Sequence, residues 1–325
     1  MKRSISALAL GATLLLSPFS LMPAAAADDF PDQDVRLIIP FGPGGATDVI
    51  FRLVSRQAEQ SLGQSIVPVN MAGAGATLGS REVKNAKPDG YTLLGSHQSI
   101  QLSYLAGMAD YSYDAFEPMA LLTQTINIPS TNSDHEVQTA ADIAAYVEAN
   151  PGEVRVGMIP SSTDHFFWVQ FFEAAGIPMQ DVRMISYPDT GSQVSALLAN
   201  EIDFTLLNMP SGASFYEDGA FRPLGVAGEE RLAALPEVAT LREQNIDLVN
   251  TTARGVFAPK ETPKENIEVI ASAYEQALQE KEVANRIEKE FGSVVSYMGP
   301  EAYAAYLEEN STALERVAGN IDFSR

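Results

Sequence analysis

Val35-Arg36-Leu37-Ile38-Ile39-Pro40-Phe41-Gly42-Pro43-Gly44-Gly45-Ala46-Thr47-Asp48 is the stretch that decides how this chain is read. Its aliphatic start reads as a buried strand, and its middle as a glycine-rich turn. Beyond it Val49, Ile50, Leu53, Val54, Ala58 and Leu62 recur at helical spacing, closed by Gly63. Glycine admits positive φ and lets a ligand approach the backbone. The helix start presents unpaired amides and partial positive charge, so the turn suits an anion. No lysine and no Gly-Lys-Ser/Thr occurs there, which excludes a phosphate-cradling loop. A small carboxylate is the expected ligand, beside the plainer reading of a tight strand–helix turn. The candidate residues are Phe41, Gly44, Gly45, Ala46, Thr47 and Asp48. A side chain at Gly45 is expected to intrude on the ligand or to demand a positive φ. Phe41 reads equally as core, and Asp48 as a partner of the helix dipole.

The N-terminus has the order of an export signal. Lys2 and Arg3 precede an apolar run from Ile5 to Leu16, and Ala25-Ala26-Ala27 offers small residues for cleavage after about Ala27. That run is too short to span a bilayer, and no later segment reaches about 18 consecutive apolar residues. Without cysteine the chain has no disulfide, no thiolate metal site and no lipid anchor on an N-terminal cysteine. A free periplasmic protein is expected. Lys and Arg total 21 against 42 Asp and Glu, a formal charge of −21. Removing the signal makes the charge two more negative. Such a surface repels nucleic acid and anionic membranes. A carboxylate ligand stays compatible with it, because charges beyond about 10 Å are screened and local donors decide binding.

Strand-like and helix-like segments alternate throughout, the pattern of an α/β protein with a largely parallel sheet. Strands over 66–69, 91–95, 154–159, 182–187 and 203–207 each lead into a polar or glycine-containing loop, and 255–258 with helical segments from Pro263 onward completes the chain. Ligands bind beyond the carboxyl ends of strands in such sheets. Those loops contribute Ser96, His97 and Gln98, then Ser161, Ser162, Thr163 and His165, then Asp189, Thr190 and Gly191, and Asn208. A helix is expected from about Phe166, with Ser162 and Thr163 alternatively serving as its cap, and Trp168 and Phe171 as core. The glycines of Gly73-Ala74-Gly75-Ala76-Thr77-Leu78-Gly79 lack dinucleotide spacing.

Many segments in order resemble the periplasmic receptors of tripartite tricarboxylate transporters, the Bug family. They include Arg36 to Asp48, Gly73-Ala74-Gly75, Lys87-Pro88-Asp89-Gly90-Tyr91-Thr92-Leu93-Leu94 and Tyr113-Asp114-Ala115-Phe116-Glu117-Pro118. Ala149-Asn150-Pro151-Gly152, Arg222-Pro223-Leu224-Gly225-Val226-Ala227, Leu235-Pro236-Glu237-Val238 and Phe257-Ala258-Pro259 continue the series. The resemblance implies a two-lobed periplasmic-binding-protein (Venus-flytrap) fold, each lobe a mixed, mostly parallel sheet flanked by helices. The expected division is a signal over 1–27, one lobe of 28–128 plus 253–325, and a second of 129–252. It implies a monomer that captures a small organic carboxylate, holds it on the 40–48 turn, and delivers it to integral membrane transporter subunits, with no cofactor. The chain departs from the family at Tyr187-Pro188-Asp189-Thr190-Gly191, where a Tyr-Lys-Gly type loop is usual. It departs also at Ala253-Arg254, where aromatic residues are usual, and at Ile159-Pro160-Ser161. All three segments are expected to face the second half of the ligand. Arg254 is the open case, an exposed arginine or a fork for a distal carboxylate.

Rival classes find little footing. No Gly-x-Ser-x-Gly elbow supports a hydrolase, and His97, His135 and His165 lie in separate loops without paired metal-ligand spacing. A receptor for a neutral or cationic solute remains an alternative, with Asp189 and Asp164 as contributors, as does a sensor serving a signalling partner.

Overall fold

The computed structural model describes residues 30–319 and residue 321. The expected export signal and its cleavage site lie outside the described residues. The first half runs β1 (Val35–Ile39), α1 (Ala46–Leu62), β2 (Ile66–Asn70), α2 (Thr77–Lys84), β3 (Thr92–Ser96), α3 (Ser99–Leu105) and β4 (Phe116–Ile126). β5 (Ile128–Asn132), α4 (Asp142–Ala149), β6 (Val154–Met158), α5 (Thr163–Ala174), β7 (Val182–Ser186) and α6 (Thr190–Leu198) follow. Then come β8 (Thr205–Leu207), α7 (Met209–Glu217) and β9 (Phe221–Pro223). The chain closes with β10 (Thr251–Pro259), α8 (Lys264–Gln279), α9 (Lys281–Lys289), β11 (Ser293–Met298) and α10 (Pro300–Ala318).

One lobe is built on a six-stranded sheet in the order β11-β4-β10-β3-β1-β2. β1 pairs in parallel with β2 and β3, whereas β10 runs antiparallel to β3 and β4, and β11 antiparallel to β4. The second lobe holds β8-β5-β9, antiparallel, and the parallel pair β6-β7, joined by a bridge between Val156 and Phe204. The sheets are thus mixed, as anticipated. Their antiparallel share exceeds what alternating strands and helices suggest, because β10 and β11 run against β1, β2, β3 and β4, and β5 runs against β8 and β9.

Each lobe has its own core. Leu37, Ile50, Phe51, Val54, Ile270 and Tyr274 fill the space between the first sheet, α1 and α8. Val154, Val156, Phe167, Trp168, Phe171 and Phe204 form that of the second lobe. α5 carries apolar residues on all sides and lies buried on most of its surface, which accounts for five aromatics in the seven residues 166–172. The lobes meet at two strand crossings. β4 passes into β5 at Asn127, and the return enters β10 after Asn250; the two side chains bond each other at 2.6 Å. A third contact comes from α10, whose Leu314 and Val317 pack with Leu102 of α3 and with Phe166 and Val169 of α5.

Several boundaries differ from the sequence reading. β10 covers nine residues rather than the four of 255–258, because Thr251 to Arg254 also pair with β4. β8 begins at Thr205, since Asp203 turns its carboxylate to the Arg155 amide at 2.7 Å and guanidinium. α5 starts at Thr163, where Asp164 accepts from the amides of Ile159 at 2.9 Å and His165 at 2.8 Å.

Gly255 lies where β10 crosses the fully buried Tyr303 ring, and a Cβ there would stand 2.5 Å from Cζ. Gly255→Ala should therefore cost about 1–3 kcal/mol by overpacking. A lowered urea midpoint at unchanged m-value measures it; an unchanged midpoint contradicts it.

Candidate functional site

The turn after β1 is held from behind. Asp48 accepts from the Gly44 amide at 2.9 Å, from Asn70 Nδ2 at 2.9 Å and from Arg52 Nε at 2.8 Å. Asn70 Nδ2 also donates to the Phe41 carbonyl at 3.0 Å. Burial pushes the Asp48 carboxyl up, yet Gly44, Asn70 and Arg52 together hold it below the ordinary value. Asp48 therefore shapes the turn and does not line the cleft. Gly44 has φ +81°, which only glycine adopts cheaply. Gly45 does not need a positive φ: it is extended at φ −74°, and its Cβ would meet only the Gly42 carbonyl at 3.9 Å. That part of the expectation fails, and the strained position is the glycine before it. Among the described residues, the Ala46 and Thr47 amides at the start of α1 have no acceptor.

Arg254 stands beside this helix start. Its Nε donates to Thr47 Oγ1 at 3.0 Å, and its Nη1 to Thr125 Oγ1 and, at 3.4 Å, to the Thr252 carbonyl. It is 3% exposed and forms no ion pair with a described carboxylate. Burial brings its guanidinium down to about 10, so it remains a cation at neutral pH. The position differs from the expected distal one: register with β4 brings Arg254 under the shared glycine turn, next to Thr47. His97 stacks on Phe41 at 4.4 Å between centroids. It shows some surface to the cleft but is densely surrounded; burial first, and the Arg254 charge second, push it down to about 3. Its Nδ1 accepts from the Ser99 amide at 3.3 Å, which leaves the proton on Nε2.

The facing wall comes from the second lobe. Ser161 has φ +59°, and its amide donates to His165 Nδ1 at 3.2 Å. Asp189 caps α6 by accepting from the Ser192 amide at 2.7 Å. Asn208 and Ser211 form a reciprocal capping box at α7, with Ser211 N to Asn208 Oδ1 at 3.2 Å. The N-termini of α1, α5, α6 and α7 all open on one cleft of about 860 Å³, a size suited to a small organic molecule. Four helix starts plus a buried guanidinium make its floor positive within a strongly acidic protein.

Of the residues expected from sequence, Phe41, Gly44, Gly45, Ala46, Thr47, His97, Ser161, Ser162, Thr163, Asp189, Thr190, Asn208 and Arg254 line this cleft. Ser96, Gln98, His165 and Gly191 do not, and neither does Asp48. Ser96 is fully buried with its Oγ 3.3 Å from Ser99 Oγ, and Gln98 bonds the β10 backbone at Thr251 O, 2.6 Å, and Ala253 N, 3.1 Å. Trp168 and Phe171 are core. The sequence reading missed Ser99, Ser103, Met108 and Ser211, as well as the 73–76 turn as a cleft wall. Gly73-Ala74-Gly75 was the available signal, and Gly75 at φ +63° and Ala76 at φ +73° bear it out as special backbone.

Two lobes joined by crossing strands, with convergent helix N-termini between them, define a solute-binding receptor rather than an enzyme. The model of the tripartite tricarboxylate transporter family receptor matches residues 50–322, and the chain belongs to that family. Receptors of this family are periplasmic, and no described helix is long and apolar enough to cross a membrane. The protein BugT of Bordetella pertussis is 30% identical over 262 residues, covering 79% of this chain and 80% of BugT. The UPF0065 protein of the gbd 5′ region of Cupriavidus necator is 29% identical over 305 residues, 89% of this chain and 88% of that one. Among solved structures, MatC from Rhodopseudomonas palustris with bound malate is 26% identical with a TM-score of 0.76, covering 89% of this chain and all of MatC.

His97 generates a prediction on stability. Its native pKa, about 3, lies below the ordinary imidazole value of 6.5. The unfolded chain takes up a proton as pH falls through 6.5 while the native protein does not, so stability declines from there towards pH 3. The slope from this group is at most about 1.4 kcal/mol per pH unit, less where cleft water screens it. His97→Gln should flatten the urea-unfolding profile between pH 6 and 4 relative to the parent; parallel profiles contradict the assignment.

Proposed function

We propose that the cleft captures a small organic carboxylate and that the loaded receptor delivers it to the integral membrane subunits of a tripartite transporter. The buried, unpaired Arg254 carries this reading. Among the described residues this buried guanidinium has only hydroxyl and carbonyl partners and no counter-charge, and it stands 3.0 Å from Thr47 at a helix start with free amides. A carboxylate at that point supplies the missing charge and accepts from Ala46 and Thr47. The malate bound to MatC is a ligand of this kind. A cationic solute would face the positive floor, which weighs against the alternative receptor class.

The proposed moving bodies are 28–128 with 253–325, and 129–252, behind a signal over 1–27 cleaved after about Ala27, in a monomer. The paired crossings at Asn127 and Asn250 support that division. Domain closure over a ligand is the behaviour expected of two bodies joined at so few points.

A thermal-shift screen of small carboxylates beside amines tests the class, since a ligand at 100 times its Kd adds about 2.7 kcal/mol of stability. Carboxylates should raise the Tm and simple amines should not; the reverse sinks the proposal. For the strongest hit, Arg254→Gln should weaken binding by about ten- to a hundredfold, and Arg254→Lys should restore part of it. Small-angle scattering should show a smaller radius of gyration with the hit bound. An unchanged radius at saturation would refute closure between the stated bodies.

A further inference from the structure

We infer that the ligand is amphoteric, with a carboxylate at the Arg254 end and an ammonium group at the far end facing Asp189. The inference rests on the carboxylate reading above and adds the class of molecule that carries the carboxylate. Among the described residues lining the cleft, two bear formal charge: Arg254 and Asp189. They belong to opposite walls. Arg254 lies on β10 in the six-stranded sheet, and Asp189 precedes α6 in the second lobe.

Asp189 is ionised at any ordinary pH, because the Ser192 and Gly191 amides hold its carboxyl below the usual value. It is also exposed, and it lines the cleft. The α6 terminus behind it offsets about half a charge, and Asp189 remains the one formal negative charge among the described residues lining the cleft. The other polar side chains that the second lobe brings to the cleft carry no formal charge: Ser161, Ser162, Thr163, Asn208 and Ser211 among them. None of these supplies a cation for a second carboxylate.

A dicarboxylate long enough to span the cleft would therefore put like charges together at the far end. A plain monocarboxylate would leave Asp189 to water as the lobes close. An ammonium group there is neutralised by Asp189 and donates to the hydroxyls and to the Asn208 amide oxygen. The two fixed charges then match a molecule of zero net charge with its poles apart.

Calorimetric titration with matched sets of four to six carbons tests this: the ω-amino acid, the diacid and the simple fatty acid of each length. In the parent protein the best ω-amino acid should bind about tenfold or more tighter than the diacid of equal length. Asp189→Asn keeps the α6 cap, since asparagine caps as well as aspartate. It should bring that ratio down about tenfold while changing the fatty acid little. A diacid that binds tightest in the parent, or a ratio unmoved in Asp189→Asn, would overturn the inference. In that case loss of diacid binding in Arg254→Gln would still uphold the carboxylate reading. No binding of any probe by the parent would count against both.

Discussion

The arrangement depends on a cation that no described carboxylate neutralises. Arg254 is pulled out of water by β4 and β10, oriented by Thr47 and Thr125, and left without a carboxylate. Burying an unpaired charge is costly, and that cost is ordinarily met by a partner in the fold. Here the neighbours add to the problem, because the start of α1 is itself positive. His97 stays neutral in part for the same reason, and so remains a flat donor stacked on Phe41. Asp48, next in sequence to Thr47, is occupied behind the turn with Gly44, Asn70 and Arg52. The acid is kept on one side of the loop and the cation on the other, so the loop's open amides face an unfilled positive site.

Much of this was legible in the order of residues. β1, the glycine turn and α1 follow from an aliphatic run, a cluster of Gly and Pro, and a helical stripe, all local signals. The loops at the ends of β3, β6, β7 and β8 were found by the same reasoning, and most of their residues line the cleft. What could not be read is non-local. The place of Arg254 depends on β10 lying antiparallel between β3 and β4, a pairing across about 130 residues of chain. The turn's strain sits at Gly44 and not Gly45, a difference of one residue that composition does not encode. Asp48 and Gln98 have side chains suited to a ligand but are committed to backbone, and commitment appears only once the partners are in place.

The junction between the lobes is polar and narrow. Asn127 and Asn250 bond each other, Asn250 also donates to Gln170 of α5 at 2.7 Å, and Gln98 ties the β3 loop to β10 on the same side. Such bonds are directional, so they favour bending about one axis over sliding. α10 adds an apolar contact across the same junction, where Leu314 and Val317 pack with Leu102 of α3 and with Phe166 and Val169 of α5. The cleft and the hinge thereby share elements: α3 begins beside His97, and α5 begins at Thr163.

Trp168 is the chain's one tryptophan, fully buried among Phe167, Phe171 and Phe172, with no acceptor for its indole N–H among the described residues. Light emitted by this fluorophore comes from a dry aromatic setting in one lobe, and it shifts to the red only when that lobe's core admits water. Calorimetry registers the melting of both lobes. Overlaid curves from the two probes would mean that the lobes melt as one cooperative unit, and separated curves that each melts by itself. A single buried indole thus turns an ordinary spectrometer into a probe of one half of the molecule.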